Sequence, residues 1–290
     1  MPDSPTASWT LGVAQFTPQK RDVPANLERI GALCRQAARE GASLLVMPES
    51  AVTGYFLEGA AHTYALSPDE LASALSACLG DIQGPLDLLV GFYEKNDGRP
   101  FNSVAYLRLD PGQVEVGGVY RKVFLPTYGV FDEARFHAPG DRLGLFETRV
   151  GKVGCLICED VWHSIMGTLL ALRGADVIAV PSASPARGFA SAKPGNLLRY
   201  ERMLRGLADE HGVYAAAAML CGFEGGKGFT GGSFIYGPDG EMLDQAPLHE
   251  EALILAPVLP SAIETERRQT PLLEDLREAW PLIRDWVDEG

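Results

Sequence analysis

The segment "GKVGCLICEDVWHS" (residues 151–164) decides how the rest of the chain is interpreted. Its apolar part, residues 151–158, predicts a buried strand, and the polar pair Glu159–Asp160 marks the end of that strand. Two cysteines, Cys155 and Cys158, lie three positions apart within it. The spacing fits either a shared redox or metal site, or one nucleophilic cysteine beside a structural one.

The predicted strand argues against a shared site for the two cysteines. Side chains of a strand alternate between its two faces, so residues three positions apart point in opposite directions. A redox pair belongs at a helix N-terminus, where the pKa of a thiol is lowered, and zinc knuckles use the CxxC pattern twice. We therefore expect Cys155 to be structural. Cys158, at the strand end, is either the nucleophile or a second buried structural thiol.

Strand-like and helical patterns alternate along the whole chain, without a linker or a repeat, which indicates an α/β fold in one domain. Ser67, Pro68 and Glu70 form a capping-box signature at the start of one helix. The predicted helices are 25–40, 67–80, 164–174 and 193–212. The predicted strands are 11–16, 43–50, 86–93, 103–109, 114–120, 143–148, 151–158, 176–182, 213–220, 232–243 (two strands around a turn) and 251–258.

Composition limits the classes of partner. The 290 residues carry 38 acidic and 25 basic side chains, a formal net charge of -13, which repels nucleic acid and anionic membranes. No apolar run approaches the roughly 20 residues of a membrane span. The N-terminal stretch "MPDSPTASWT" lacks a signal-peptide pattern, so we predict a cytoplasmic protein with its five cysteines reduced.

Two charged residues occupy positions like that of Cys158. Glu49 ends the apolar run "SLLVMPE", and Lys122 follows the strand-like "VEVGGVYRK". A loop carboxylate and a solvated surface lysine are the plain alternatives. A thiol, a carboxylate and an ammonium at three strand ends are the groups that amide cleavage needs, because the carboxylate takes the thiol proton and the ammonium holds the oxyanion.

Other common motifs are excluded. Gly226, Gly228 and Gly231 match GxGxxG, but a strand rather than a helix follows, so we interpret this stretch as a flexible loop. The five histidines show no metal-binding spacing, and there is no GxSxG nucleophile elbow. No metal and no organic cofactor is predicted.

The three segments that contain Glu49, Lys122 and Cys158 resemble segments of the nitrilase superfamily, the carbon–nitrogen hydrolases. That family carries a Glu-Lys-Cys triad in this chain order. The segments are "LLVMPESAVTGY" around Glu49, "YRKVFLPTYGVFDEARFHAPGD" around Lys122 and the segment around Cys158. The resemblance covers residues 8–258 and adds Glu133, which matches a second glutamate that the family keeps near the lysine. It implies a four-layer α-β-β-α sandwich that often pairs into a homodimer or a higher homo-oligomer.

Residues 259–290 are then a C-terminal helical extension. Apolar residues recur there at three- and four-residue steps, with a helix kink expected at Pro281. This stripe packs either on its own domain or on a partner subunit. Its members are Leu272, Leu276, Trp280, Ile283 and Val287.

The resemblance implies a mechanism. Glu49 acts as the general base for Cys158, Lys122 and the backbone N–H of Glu159 hold the oxyanion, and Glu133 orients Lys122 and the substrate amide. The enzyme passes through a thioester acyl-enzyme.

The substrate is less sharply defined. "CED" followed by Trp162 is most similar to the glutaminase domain of glutamine-dependent NAD synthetases, whereas nitrilases tend to have Trp after the cysteine. No SGGxDS-type loop is present, so we expect an amidase that releases ammonia from a small carboxamide. The alternatives are a glutaminase that feeds a separate synthetase, an N-carbamoyl amine hydrolase, a nitrilase, and a catalytically idle binding or scaffold protein. Candidate substrate-binding residues are Tyr55, Tyr128, Glu159, Trp162, Ser182 and Ser184.

Overall fold

The computed structural model describes residues 7–189 and 192–289, so the first six residues of the N-terminal stretch lie outside it. In this part of the chain, two six-stranded sheets dominate the fold. The strands are β1 (Trp9–Gln15), β2 (Leu44–Val46), β3 (Leu86–Glu94), β4 (Phe101–Asp110), β5 (Gln113–Arg121), β6 (Gly144–Thr148), β7 (Gly151–Cys155), β8 (Val177–Ser182), β9 (Tyr214–Met219), β10 (Cys221–Glu224), β11 (Lys227–Thr230), β12 (Phe234–Tyr236), β13 (Met242–Gln245) and β14 (Ala252–Val258). The first sheet has the order β14-β1-β2-β3-β4-β5 and the second β13-β12-β9-β8-β7-β6.

Helices cover the outer face of each sheet. The α-helices are α1 (Val23–Arg39), α2 (Ala61–Tyr64), α3 (Pro68–Leu79), α4 (Glu133–Phe136), α5 (Ser164–Leu172), α6 (Gly195–His211), α7 (Pro260–Gln269) and α8 (Leu272–Asp288). Short 3-10 turns span Glu58–Ala60 and Cys158–Trp162. The capping box at the start of α3 is present, with Ser67 and Glu70 bonding reciprocally.

The cores follow from this layering. Helices α1 and α3 pack on the first sheet through one apolar cluster that includes Ile30 and Leu75. A second cluster joins the inner faces of both sheets and extends to α5 and α6, with Val46 from one sheet and Val177 from the other. The predicted four-layer α-β-β-α sandwich is confirmed.

Two local predictions are wrong. The strand predicted over 151–158 ends at Cys155, and Cys158 begins a 3-10 turn instead of ending the strand. The stretch around Gly226 is a β-hairpin, not a flexible loop, because β10 and β11 pair antiparallel across a turn at Gly225 and Gly226. Both glycines have positive φ, a conformation that glycine adopts without steric cost, so the tight turn can form.

The C-terminal residues form two helices. Helix α8 contains Pro281 and contacts α5 and α6 at its inner side, where Leu273 is buried in the main core. The predicted stripe is only partly covered: Leu276, Trp280 and Ile283 are half-buried, but Leu272 and Val287 are exposed. The buried contact at the start of α8 thus comes from Leu273, one position after the predicted Leu272.

Candidate active site

Strands that run in one direction bring the candidate residues to one edge of the sandwich. Strand β2 is parallel to β3, and β5 runs the same way because β4 is antiparallel to both of its neighbours. In the second sheet, β7 and β8 are parallel. One residue of interest follows each of β2, β5, β7 and β8, namely Glu49, Lys122, Cys158 and Ala183 in that order. A 2.7 Å hydrogen bond from Ala183 N to Glu49 Oε2 connects the two sheets at this edge.

Tight backbone geometry fixes Glu49. A Cβ on Gly91 of β3 would lie 2.4 Å from Ser50 N, so only glycine lets the chain after β2 pass this close. Ser50 has φ of 54°, and Cys158 has φ of 48°, both in the left-handed region. This conformation costs a non-glycine residue about 1–2 kcal/mol. Such strain at two neighbouring strand exits is typical of a functional site.

A buried ion cluster forms the centre. Lys122 Nζ donates to Glu49 Oε1 at 2.8 Å and to Glu133 Oε1 at 2.7 Å. Lys122 and Glu49 are fully buried, and Glu133 is nearly so. Burial alone would lower the pKa of Lys122, but the carboxylates of Glu133 and Glu49 outweigh it and raise that pKa well above its ordinary value. The ammonium is therefore held in its charged form.

Each carboxylate keeps at least one open acceptor site for a ligand. Glu49 Oε1 also accepts from Asn102 Nδ2 at 2.7 Å, and Oε2 accepts from Ala183, so about one of its four acceptor sites is open. Glu133 Oε1 also accepts from the Tyr55 hydroxyl. Its Oε2 is buried and has no hydrogen-bond partner within residues 7–189 and 192–289. A buried carboxylate oxygen without a donor predicts that a ligand supplies one.

The Cys158 side chain lies next to this cluster. Its burial is the main cause that raises the pKa of the thiol, the Glu49 carboxylate raises it further, and the Lys122 ammonium lowers it. Its Sγ lies 3.0 Å from the Tyr200 hydroxyl of α6. The resting thiol is protonated, so it needs a base. Burial likewise raises the pKa of Glu49, which makes that carboxylate a stronger proton acceptor than an exposed one.

Asp160 and Asn102 also shape the site, although neither was among the predicted site residues. Asp160 accepts from Val123 N and Phe124 N through Oδ1, and from Tyr120 Oη and Ile157 N through Oδ2, at 2.8–3.1 Å. It thereby fastens the turn of Cys158 to the segment after Lys122. The signal was the aspartate two positions after the cysteine, at the third position of its turn.

Asn102 is the second missed residue. It lies at the start of β4, fully buried, and its backbone carbonyl accepts from Lys122 N at 2.9 Å while its side chain holds Glu49. The signal available in the sequence was a polar residue directly before the predicted strand 103–109.

Three of the candidate substrate-binding residues take part in side-chain hydrogen bonds. Tyr55 is buried and bonded to Glu133, so it orients that carboxylate. Tyr128 is 47% exposed, and its hydroxyl donates to Glu159 Oε2 at 2.6 Å. Glu159 follows Cys158 in the 3-10 turn. The Tyr128–Glu159 bond joins the segment after Lys122 to the turn that begins at Cys158.

The other three candidates differ in exposure. Trp162 ends the turn of Cys158 and packs edge-on against Tyr200. Ser182 and Ser184 are buried: the hydroxyl of Ser182 lies 3.4 Å from the Val180 carbonyl, and that of Ser184 accepts from Asn196 at 3.0 Å. Both serines therefore have partners within the protein.

The described residues contain neither a metal-binding cluster nor a membrane-spanning helix. Within residues 7–189 and 192–289, no group of three or more His, Cys, Asp or Glu side chains is arranged to hold a metal ion. Among the same residues, no helix combines the length and the apolar character needed to span a membrane.

Three known proteins illustrate what the chain is similar to. A glutamine-dependent NAD(+) synthetase of Acinetobacter baylyi is 30% identical over 249 residues, which cover 85% of this chain and 43% of that protein, so the chain spans less than half of it. A carbon-nitrogen hydrolase structure from Helicobacter pylori G27 superimposes with a TM-score of 0.81 at 27% identity, over 93% of this chain and 95% of that one. A mutant of the Nesterenkonia AN1 amidase, from the nitrilase superfamily, gives a TM-score of 0.74 at 25% identity, over 98% of each chain.

The family model for carbon-nitrogen hydrolases matches residues 10–268, which include Glu49, Lys122, Glu133 and Cys158. With the four-layer fold and the buried cluster beside a thiol, this match gives the classification: the chain belongs to the carbon-nitrogen hydrolase family.

Proposed function

We propose that the protein is an amidase that releases ammonia from a small carboxamide through a thioester on Cys158. The observation that carries the proposal is the buried Lys122 ammonium, which bridges Glu49 and Glu133 beside the Cys158 thiol. The similarity to the Nesterenkonia AN1 amidase over 98% of both chains supports an amide substrate.

The first half-reaction uses the open acceptor positions. Glu49 takes the proton from Cys158 Sγ, and the sulfur attacks the amide carbon to form the C–S bond. The carbonyl electron pair moves to oxygen, and Lys122 with the Glu159 backbone N–H stabilises this oxyanion. Glu133 Oε2 accepts an N–H of the amide. As the C–N bond breaks, Glu49 returns the proton to nitrogen and ammonia leaves.

The second half-reaction releases the acid. Glu49 removes a proton from a water molecule, whose oxygen attacks the thioester carbon. The C–S bond breaks, Cys158 recovers its proton from Glu49, and a carboxylic acid departs. Lys122 serves both steps with the same ammonium, so its permanent charge matters throughout.

A substrate panel tests the proposal. We expect the purified protein to release ammonia from glutamine, asparagine, ω-amides or short aliphatic amides faster than it acts on N-carbamoyl amines or nitriles. A protein that hydrolyses only nitriles would contradict an amidase. Silence on every compound, with a thiol that also resists alkylation, would contradict any catalytic role.

A glutaminase that supplies ammonia to a separate synthetase is the second candidate. Two observations favour it: the 30% identity to a glutamine-dependent NAD(+) synthetase, and the Tyr128–Glu159 pair, whose carboxylate suits an α-ammonium group. In the panel, strong preference for glutamine over glutaramate, the same molecule without its ammonium, would select this function.

The pH profile provides a test of the base. Because Glu49 acts in its ionised form, kcat/KM falls as the pH drops through its pKa. Asn102 donates to that ionised form, so Asn102→Ala is expected to raise the pKa of Glu49 further and to move the acidic limb upward by about one pH unit. The exposed Asn96→Ala is the control and should leave the limb in place. An unmoved limb in Asn102→Ala would mean that another group is the base.

A further inference from the structure

A cleft of about 560 Å³ is separated from Glu133 of the ion cluster by the side chains of Phe131 and Tyr55. Its inner wall is Phe131, which packs edge-on against Tyr55, and the Tyr55 hydroxyl in turn donates to Glu133. The cleft thus reaches one side chain away from the proposed active site. We call it the aromatic cleft, and the residues that line it are Tyr128, Gly129, Val130, Phe131, Pro185, Ala186, Arg187, Phe189, Phe223, Gly226, Lys227, Gly228, Phe229, Thr230 and His249.

The charge of the aromatic cleft is opposite to that of the protein. The chain carries a formal net charge of -13, yet the described lining includes the cations Arg187 and Lys227 and neither Asp nor Glu. The Lys227 ammonium lies 4.3 Å from the centre of the Phe56 ring, on the hairpin of β10 and β11. Cations confined between apolar walls attract anions more strongly than the same cations on an open surface.

Arg187 is the cation positioned to bind a ligand. Its guanidinium lies over the rings of Phe131 and Trp162, at 5.1 and 5.5 Å from their centres, so two aromatic side chains contact it. Its Nη1 is buried and has no hydrogen-bond partner in the described part of the chain. Leaving a buried donor without an acceptor is unfavourable, and more so when the donor is charged. An anionic ligand would supply that acceptor.

Trp162, one of the two rings next to Arg187, also connects to the nucleophile. Trp162 packs against Tyr200 with ring centres 5.5 Å apart, and the Tyr200 hydroxyl lies 3.0 Å from Cys158 Sγ. The Trp162 indole therefore contacts the Arg187 guanidinium directly and reaches the Cys158 thiol through Tyr200. A short chain that carries an amide at one end and an anion at the other would lie along this indole.

We propose that Arg187 binds a carboxylate at the far end of the substrate, so that the enzyme prefers ω-amides of dicarboxylic acids to neutral amides. This inference rests on the proposed amidase function and adds the chemical class of its substrate. A guanidinium suits the task because it can donate two parallel hydrogen bonds to one carboxylate.

The test compares two amides of equal chain length. Glutaramate carries a carboxylate at its far end, and valeramide ends in a methyl group. We expect wild-type kcat/KM to be higher for glutaramate, and Arg187→Gln to lower it by about 10- to 100-fold for glutaramate while valeramide is unaffected. Equal losses on both amides, or a wild-type preference for valeramide, would overturn the inference.

Arg199→Gln is the matched control. Its guanidinium lies 4.2 Å from the centre of the same Trp162 ring, but the side chain is exposed and does not line the aromatic cleft. We expect this variant to hydrolyse both amides as wild type does. A loss in Arg199→Gln as large as that in Arg187→Gln would show that general charge, rather than a defined site, is responsible.

Binding of glutarate, measured by calorimetry, separates the subsite from the chemistry. We expect glutarate to bind wild type and Arg199→Gln and to bind Arg187→Gln at least about tenfold more weakly. If wild type hydrolyses no amide but shows this binding pattern, the amidase proposal fails and the carboxylate site stands. Equal affinity for all three proteins, or no affinity for any, refutes the carboxylate site.

Discussion

Replacing Cys158 with alanine is expected to lower ammonia release by at least about 10⁴-fold, because the acyl-enzyme can no longer form. The variant should fold, because alanine is smaller than cysteine and the substitution removes one hydrogen bond, that between the thiol and Tyr200. Steady-state ammonia release on the best substrate of the panel, with circular dichroism of both proteins, measures the effect.

Cys155→Ala is the matched control for this variant. Cys155 is fully buried on β7 and faces the apolar core, so its loss should reduce stability by roughly 1 kcal/mol and leave kcat close to wild type. If Cys155→Ala loses activity while Cys158→Ala keeps it, the assignment of the nucleophile is wrong.

Lys122→Met is expected to damage both activity and stability. Activity should fall by about 10²- to 10³-fold through loss of an oxyanion donor. The free energy of unfolding should fall by about 3–5 kcal/mol, because Glu49 and Glu133 would remain buried without their shared cation. Kinetics and urea unfolding at neutral pH measure the two effects.

Two further variants separate charge from packing at Lys122. Lys152→Met removes a surface lysine that lies 3.4 Å from Glu147, and should change stability by less than about 1 kcal/mol. Adding Glu49→Gln to Lys122→Met should restore part of the lost stability, since it removes one uncompensated charge. Wild-type stability in Lys122→Met alone would contradict a charged ammonium at the centre of the cluster.

The approximate positions of the strand ends could be predicted from the sequence because they depend on local patterns, although β2 and β7 end three or four residues earlier than predicted. Apolar runs that stop at Glu49 and Lys122 placed both residues near the carboxyl ends of strands, and the fold brings those ends together. Glu133 needed the family resemblance, since nothing in "FDEARF" distinguishes a catalytic carboxylate from a surface one. Opposite directions for Cys155 and Cys158 follow only if the strand continues to Cys158. The strand β7 instead ends at Cys155, so side-chain alternation does not apply to Cys158.

The partners of these residues depend on tertiary contacts and could not be predicted. Asn102 meets Glu49 across 53 positions of sequence, and Tyr200 meets Cys158 across 42. Arg187 becomes informative only once its two aromatic neighbours and its unpartnered Nη1 are known. Such long-range pairs leave no periodic signal in a single sequence.

Intact-protein and peptide mass spectrometry during turnover tests the central claim, that Cys158 carries the acyl group. With the best amide substrate and rapid acid quenching, we predict a mass increase equal to the acyl group, located on the peptide that contains Cys158 and absent from Cys158→Ala. The same mass increase on Cys155, or on any residue in Cys158→Ala, would contradict the account.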